Sequence, residues 1–266
     1  MFCAKQFARL FETEYYGVWD PKVKESEYAA LYVESIQATG GYIIPPKEYF
    51  PEIKKTLDEH KILLVDDEIQ MGFYRAGKFL GFQNFEVTPD VVVFGKAMTN
   101  GLNPLAGIWA REEMINPEVF PCGSTHSTFA SNPLGTAVAL EAMKMFEEID
   151  YEKKVAESGA YFLEGLKELQ SRYPIIGDVD GLGLALRAEI CKEDGFTPDK
   201  AMTDKIVDEC MKGDLEVNGK KYGLVLDIGG YYKNAITFAP SLDITREEID
   251  LGMNLLDQVL RRVTKK

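Results

Sequence analysis

The sequence predicts an α/β protein, in which a mostly parallel sheet is followed by a smaller α+β domain. Three observations carry that expectation. Apolar runs of strand length alternate with segments of helical spacing between residues 27 and 148. The run Leu63–Leu64–Val65 stands directly before three acids, Asp66, Asp67 and Glu68, as in a strand buried on both faces whose end meets a ligand. Near Ile149–Asp150 the pattern changes, and the later strand segments are short and punctuated by glycine. The expected domains are therefore 1–150, carrying the sheet, and 151–266, a smaller C-terminal α+β domain.

Each element follows in order. "EYAALYVESI" (27–36) reads as a buried strand ending at Glu34. "PPKEYFPEIKKTLDEHK" (45–61) has helical spacing with proline at its start, where a missing N–H costs nothing. Strand 62–67 comes next, then a glycine-containing loop and the short segment "KFLGFQNF". "DVVVFGKAM" (90–98) is a β-branched strand closing at Gly95–Lys96, and "PLAGIWARE" (104–112) reads as one more. Strand–helix–strand alternation implies right-handed crossovers. A long helix over Asn132–Glu148 is rich in Ala, Leu and Met. The second part reads as a helix over 151–172, the strand region "PIIGDVDGLGLALRAEI", a helix near 198–213, strands near "YGLVLD" and "NAITFAP", and a final amphipathic helix. That helix opens on "DITREEIDLG", where the Thr245–Glu248 spacing is a capping-box signature.

Composition narrows the function. A net charge of −13 disfavours nucleic acid or an anionic membrane as a general partner. Cys3, Cys122, Cys191 and Cys210 lie far apart without a CxxC pair, which argues against a zinc ribbon or disulfide framework and suits a reducing cytoplasm. Only His60 and His126 are present, so no His-rich metal site is expected. Neither a signal-peptide pattern nor a membrane-length apolar run is found, and a soluble cytoplasmic chain is expected.

The strand-end acids suit two ligands. One is hydrated Mg²⁺ beside a nucleotide, the other a cationic ring nitrogen such as a pyridinium. A plain strand end with solvated or capping acids is the bland alternative. Lys96, closing "VVVFGK", is a second strand-end group, and partial withdrawal from water would make its amine more nucleophilic. An acid at one strand end and a lysine at a following one suit an aldehyde cofactor: Lys96 for the Schiff base, Asp67 for the ring nitrogen. The nucleotide alternative needs a GxxxxGK[ST] loop, and Gly95–Lys96 is followed by Ala97 with no glycine at the required offset.

At these residues the chain resembles the class III pyridoxal-phosphate-dependent aminotransferases, of the 4-aminobutyrate and ornithine aminotransferase kind. "YVESIQATGGYIIPPKEYF" (32–50), "DDEIQMGFYRAGK" (66–78), "PDVVVFGKAMTNGLNPLAG" (89–107) and "STHSTFASNPLGTAVALEAM" (124–143) stand in the family's order. The resemblance implies the fold type I architecture and pyridoxal 5′-phosphate as cofactor. It also implies amino-group transfer between an amine or ω-amino acid and a keto acid. Under it Asp67 matches the acid at the pyridine nitrogen, Ile69 the aliphatic residue on the ring, and Gln70 the amide near the phenolic oxygen. Lys96 matches the Schiff-base lysine, which also shuttles the substrate proton. Thr128 matches a hydroxyl that reaches the cofactor phosphate of the other subunit, implying a homodimer, and Glu34 an acid on the substrate side. Arg75 and Lys78 match the family's loop pattern and read as loop-stabilising charges.

Two departures accompany the match. The family's phosphate-binding turn and ring-stacking aromatic lie in an N-terminal portion that this chain lacks, so pairing with that portion, or a truncated or split subunit inactive alone, is a second expectation. Thr237, in "AITFAPSLDIT", stands where the resemblance places a carboxylate-binding arginine, and threonine cannot form the fork-shaped pair. A racemase, epimerase or aminomutase on the same scaffold is the alternative this favours.

Overall fold

The computed structural model describes residues 2–11, 19–20, 25–118, 120–124 and 126–264. The chain divides into two compact units: Met1–Ser35, Pro45–Phe73 and Lys78–Ile149 form the first, and Ile36–Ile44, Tyr74–Gly77 and Asp150–Lys266 the second. Segments 36–44 and 74–77, which lie within the expected first domain, thus belong to the second unit.

The first unit opens with helix α1 (Phe2–Arg9) and a two-residue antiparallel ladder, β1 (Trp19–Asp20) with β2 (Glu25–Ser26). Strand β3 (Ala30–Val33), helix α2 (Tyr49–Glu59), β4 (Leu63–Asp67), β5 (Val91–Phe94) and β6 (Gly107–Ala110) follow. They form a sheet of order β3-β4-β5-β6, parallel between β3, β4 and β5 and antiparallel between β5 and β6. Helices α3 (Glu112–Ile115) and α4 (Pro133–Glu148) complete the unit, the second capped by the Asn132 side chain accepting from the Gly135 N–H at 2.6 Å.

Alternation along β4 separates two faces. Leu64 and Asp66 are buried, together with Phe50, Ile53 and Leu57 of α2, which packs against that strand. Leu63, Val65 and Asp67 are only half-buried, as are Val91 and Val93 of β5, and on this face Tyr32 of β3 and Ile108 of β6 are exposed. Segment 27–36 is therefore not a buried strand: β3 is a sheet-edge strand of four residues with alternating exposure. Asp90 pins the other end of the sheet, accepting from the Leu64 N–H at 2.8 Å and pairing with Arg111 at 2.7 Å.

The second unit comprises α5 (Tyr151–Arg172), the hairpin β7 (Ile176–Leu182) and β8 (Ala185–Ile190), α6 (Lys200–Met211), the hairpin β9 (Leu215–Val217) and β10 (Lys220–Tyr222), then β11 (Asp227–Gly229), β12 (Ala235–Phe238) and α7 (Arg246–Thr264). The second hairpin turns on Asn218–Gly219, both at positive φ, as a two-residue turn matching strand twist requires. Residues 223–226 lie between strands, so "YGLVLD" divides into the end of β10, a connection and the start of β11. The larger sheet has the order β11-β12-β8-β7 and is antiparallel throughout. Leu186, Ala188 and Ile236 point from it into a core shared with Val155, Leu166, Leu256 and Val259 of α5 and α7. Each fully buried leucine contributes about 1.5–3 kcal/mol. Gly159 of α5 faces the Gly183 carbonyl so closely that a Cβ would collide with it, and Gly183 itself sits at φ +58°.

Candidate active site

The C-terminal ends of β4 and β5 gather most of the candidate residues. Val93 is the register partner of Asp67, so Lys96 stands three residues farther on, just past the end of the neighbouring parallel strand and at most roughly 10 Å along. Lys96 follows the strand at φ +43°, and its Nζ donates to Gln70 Oε1 at 2.7 Å. Lys96 is exposed, not withdrawn from water, in the turn that follows β5. Asp67 Oδ1 accepts the Ile69 N–H at 3.0 Å, and Oδ2 accepts the Tyr32 hydroxyl at 3.0 Å. Tyr32 was not singled out in the sequence. The period-2 alternation of β3, which puts it level with Val65 and on the Asp67 face, is the signal that finds it.

The three acids do not act together. Asp66 and Glu68 lie on the buried face, 2% and 0% exposed, and neither reaches the open side of the sheet. Glu68 accepts from the Gly81 N–H (2.8 Å), the Phe82 N–H (2.7 Å) and Ser35 Oγ (3.3 Å), anchoring the 3₁₀ turn Gly81–Phe85. Asp66 faces the Glu68 carboxylate and the Ser35 backbone, but neither of its oxygens has a hydrogen bond of good geometry among the described residues. Burial, and then the adjacent Glu68 charge, push the Asp66 carboxyl up to about 9, so it carries the proton of the pair. Of these three acids, Asp67 is the one left at the strand end facing outward.

Glu34 follows β3 directly and is half-buried; its charge is felt at the Tyr32 phenol, which places it near the same strand ends. Thr128 lies exposed in a turn, and among the described residues no hydrogen bond or ion pair ties it to Lys96 or Asp67. Arg75, within the second unit, donates to the carbonyls of Leu184 (3.2 Å) and Pro240 (2.7 Å), a loop-holding arrangement. Thr237, also in the second unit, is buried and donates to Asp227 Oδ2 at 3.0 Å. Its register partner Arg187 is the cation on that stretch of sheet, but it is already engaged by Asp178 at 2.6 Å and by Glu189.

A lysine just beyond one strand, an amide on its amine and a carboxylate at the end of the parallel neighbour stand together at one end of the first unit's sheet. The chain belongs to the class-III aminotransferase family, whose profile matches residues 5–260. Members of that family are pyridoxal-phosphate-dependent. The chain is 37% identical to an alanine/serine racemase of Pyrococcus horikoshii, over 93% of its own length and 49% of the racemase. A Bacillus anthracis aminotransferase superposes with a TM-score of 0.85 at 27% identity, covering 98% of this chain and 56% of that one. The ornithine aminotransferase of Toxoplasma gondii, solved with PLP at partial occupancy in its active site, superposes with a TM-score of 0.76 at 27% identity, over 89% and 52%. The chain spans about half the length of the curated relatives it matches.

Proposed function

We propose that this chain carries the lysine and the ring-nitrogen acid of a pyridoxal-phosphate-dependent aminotransferase that moves an amino group between an amine or ω-amino acid and a keto acid. The observation that carries the reading is the Lys96–Gln70 hydrogen bond beside the outward Asp67 carboxylate, at adjoining parallel strand ends. The side chains fit the ring of the cofactor. Lys96 Nζ is the amine for covalent attachment, Gln70 orients that amine, Asp67 is the acceptor for a protonated ring nitrogen, and Ile69 offers an aliphatic surface. When bound, the cofactor supplies an electron sink for the substrate Cα. Lys96 Nζ is then the base that takes the Cα proton and returns it. Thr128 is assigned to the phosphate of a second subunit, which makes the working form a dimer, and Glu34 to the substrate side.

The half-covered sheet supports a partner as well. Parallel sheets are covered on both faces, whereas here Leu63, Val65, Val91, Val93 and Ile108 remain partly or largely open. The portion of fold that the longer relatives carry is the cover this face suits. Cytoplasmic residence belongs to the same reading: all four cysteines are free thiols, and no helix among the described residues is long and apolar enough to cross a membrane.

The test is reconstitution with a class-III N-terminal portion. The expected product binds pyridoxal phosphate, becomes labelled at Lys96 on borohydride reduction, and exchanges amino groups between amine donors and keto acids. Unchanged cofactor attachment in Lys96→Ala would refute the lysine assignment.

A second reading, racemisation of an amino acid, is favoured by two observations. The relative at 37% identity is a racemase, and Thr237 replaces the arginine expected from the resemblance. Incubation with one enantiomer and no keto acceptor separates the readings, since only a racemase accumulates the other enantiomer.

A further inference from the structure

A carboxylate turns freely about its Cβ–Cγ bond unless donors from two directions fix its plane. Asp67 has both: the Ile69 N–H on Oδ1 and the Tyr32 hydroxyl on Oδ2, each at 3.0 Å. The first is local and follows from the turn leaving β4. The second comes from another strand, 35 residues earlier, and exists because parallel pairing sets Tyr32 beside Val65, one alternation before Asp67. The Tyr32 ring is 58% exposed on the open face of the sheet. Partial burial, the hydrogen bond to Asp67, and the charges of Asp67, Glu34 and Asp66 all push the phenol up, which keeps it an O–H donor at neutral pH.

We infer that Tyr32 is a positioning residue: its hydroxyl, together with the Ile69 amide, holds the Asp67 carboxylate in the plane in which it meets the cofactor's ring nitrogen, and draws off part of its charge. The inference rests on the reading of Asp67 as the ring-nitrogen acid. It adds a specific role for an exposed tyrosine that the mechanism does not otherwise use. A donor on Oδ2 leaves that oxygen a weaker acceptor for the ring-nitrogen proton, so the hydroxyl tunes the electron sink as well as aiming it.

Two measurements test it. In the full chain, with ring-labelled tyrosine followed by NMR, the Tyr32 phenol is expected to titrate above the ordinary tyrosine value of about 10 and to move down in Asp67→Asn. A titration indifferent to that substitution would overturn the inference. In the reconstituted, cofactor-loaded protein, Tyr32→Phe is expected to weaken cofactor retention about three- to ten-fold and to shift the pH midpoint of the bound-cofactor absorbance. Tyr32→Ala should add little beyond Tyr32→Phe. If Tyr32→Phe behaves as wild type and only Tyr32→Ala is impaired, the ring and not the hydroxyl matters, and the inference fails. If Asp67→Asn moves the Tyr32 titration but leaves cofactor retention and absorbance unchanged, the reading of Asp67 fails, and this inference falls with it.

Discussion

Replacing Asp66 by asparagine should make the first unit more stable, and increasingly so as the pH rises. The native carboxyl keeps its proton up to about pH 9, whereas an unfolded aspartate loses it near 3.9. Between those values the native state binds a proton that the unfolded chain has released, so stability falls with rising pH, by up to about 1.4 kcal/mol per unit. From pH 5 to pH 8 that amounts to roughly 4 kcal/mol. An asparagine side chain has no such titration, and its amide N–H can donate toward Glu68, which already accepts from two backbone amides and Ser35. Urea unfolding at pH 5, 6, 7 and 8, followed by tryptophan fluorescence, reads the first unit, because Trp19 and Trp109 both belong to it. The gap between Asp66→Asn and wild type should widen steadily over this range. A gap constant to within about 0.5 kcal/mol would mean that Asp66 is ionised in the native state and that the assignment of the proton is wrong.

The second unit offers three further tests. Leu166 is fully buried in the core under α5, and Leu166→Ala should cost about 2–5 kcal/mol, seen as faster amide exchange in β8 and β12. Arg187→Ala removes the partner of Asp178 and Glu189. With Asp178 half exposed the loss should be about 2 kcal/mol, less than for a fully buried pair, and should appear as a lower urea midpoint. Thr245 and Glu248 bond reciprocally to each other's backbone N–H at 3.2 and 2.9 Å. Thr245→Ala should cost about 1 kcal/mol, measured as a lower Tm.

Local chemistry was the legible part of the sequence. The apolar run 63–65 and the Thr245–Glu248 box each depend on residues within one turn or one strand, and each element lies within a few residues of its expected bounds. Long-range pairing was not legible in the same way. Segments 36–44 and 74–77 join the second unit through backbone bonds such as Leu184 N–H to Arg75 O (2.9 Å) and Gly230 N–H to Thr39 O (3.1 Å), and no pattern within those segments announces a partner more than 100 residues away. The resemblance assigned Gln70 and Lys96 to one cofactor, but the bond between them came only with the structure, since nothing in their spacing of 26 residues demands it. Segment 27–36 misled because an apolar run looks the same whether both faces of its strand are covered or one is left open.

The run Asp66–Asp67–Glu68 shows what the sheet adds to the sequence. As residue types the three are nearly interchangeable; as positions they are sorted by a period of two. Glu68 turns to the buried face and meets three donors. Asp66 turns to the same face, beside the Glu68 carboxylate, and keeps its proton. Asp67 alone turns outward, to the hydroxyl from β3 and the strand end that leads to Lys96. A register slip of one residue would exchange these roles, presenting the proton-bearing acid outward and burying the bonded one. The pairing of Tyr32 with Val65 therefore matters beyond the stability of two short strands, because it decides which of three adjacent carboxyl groups is available for chemistry.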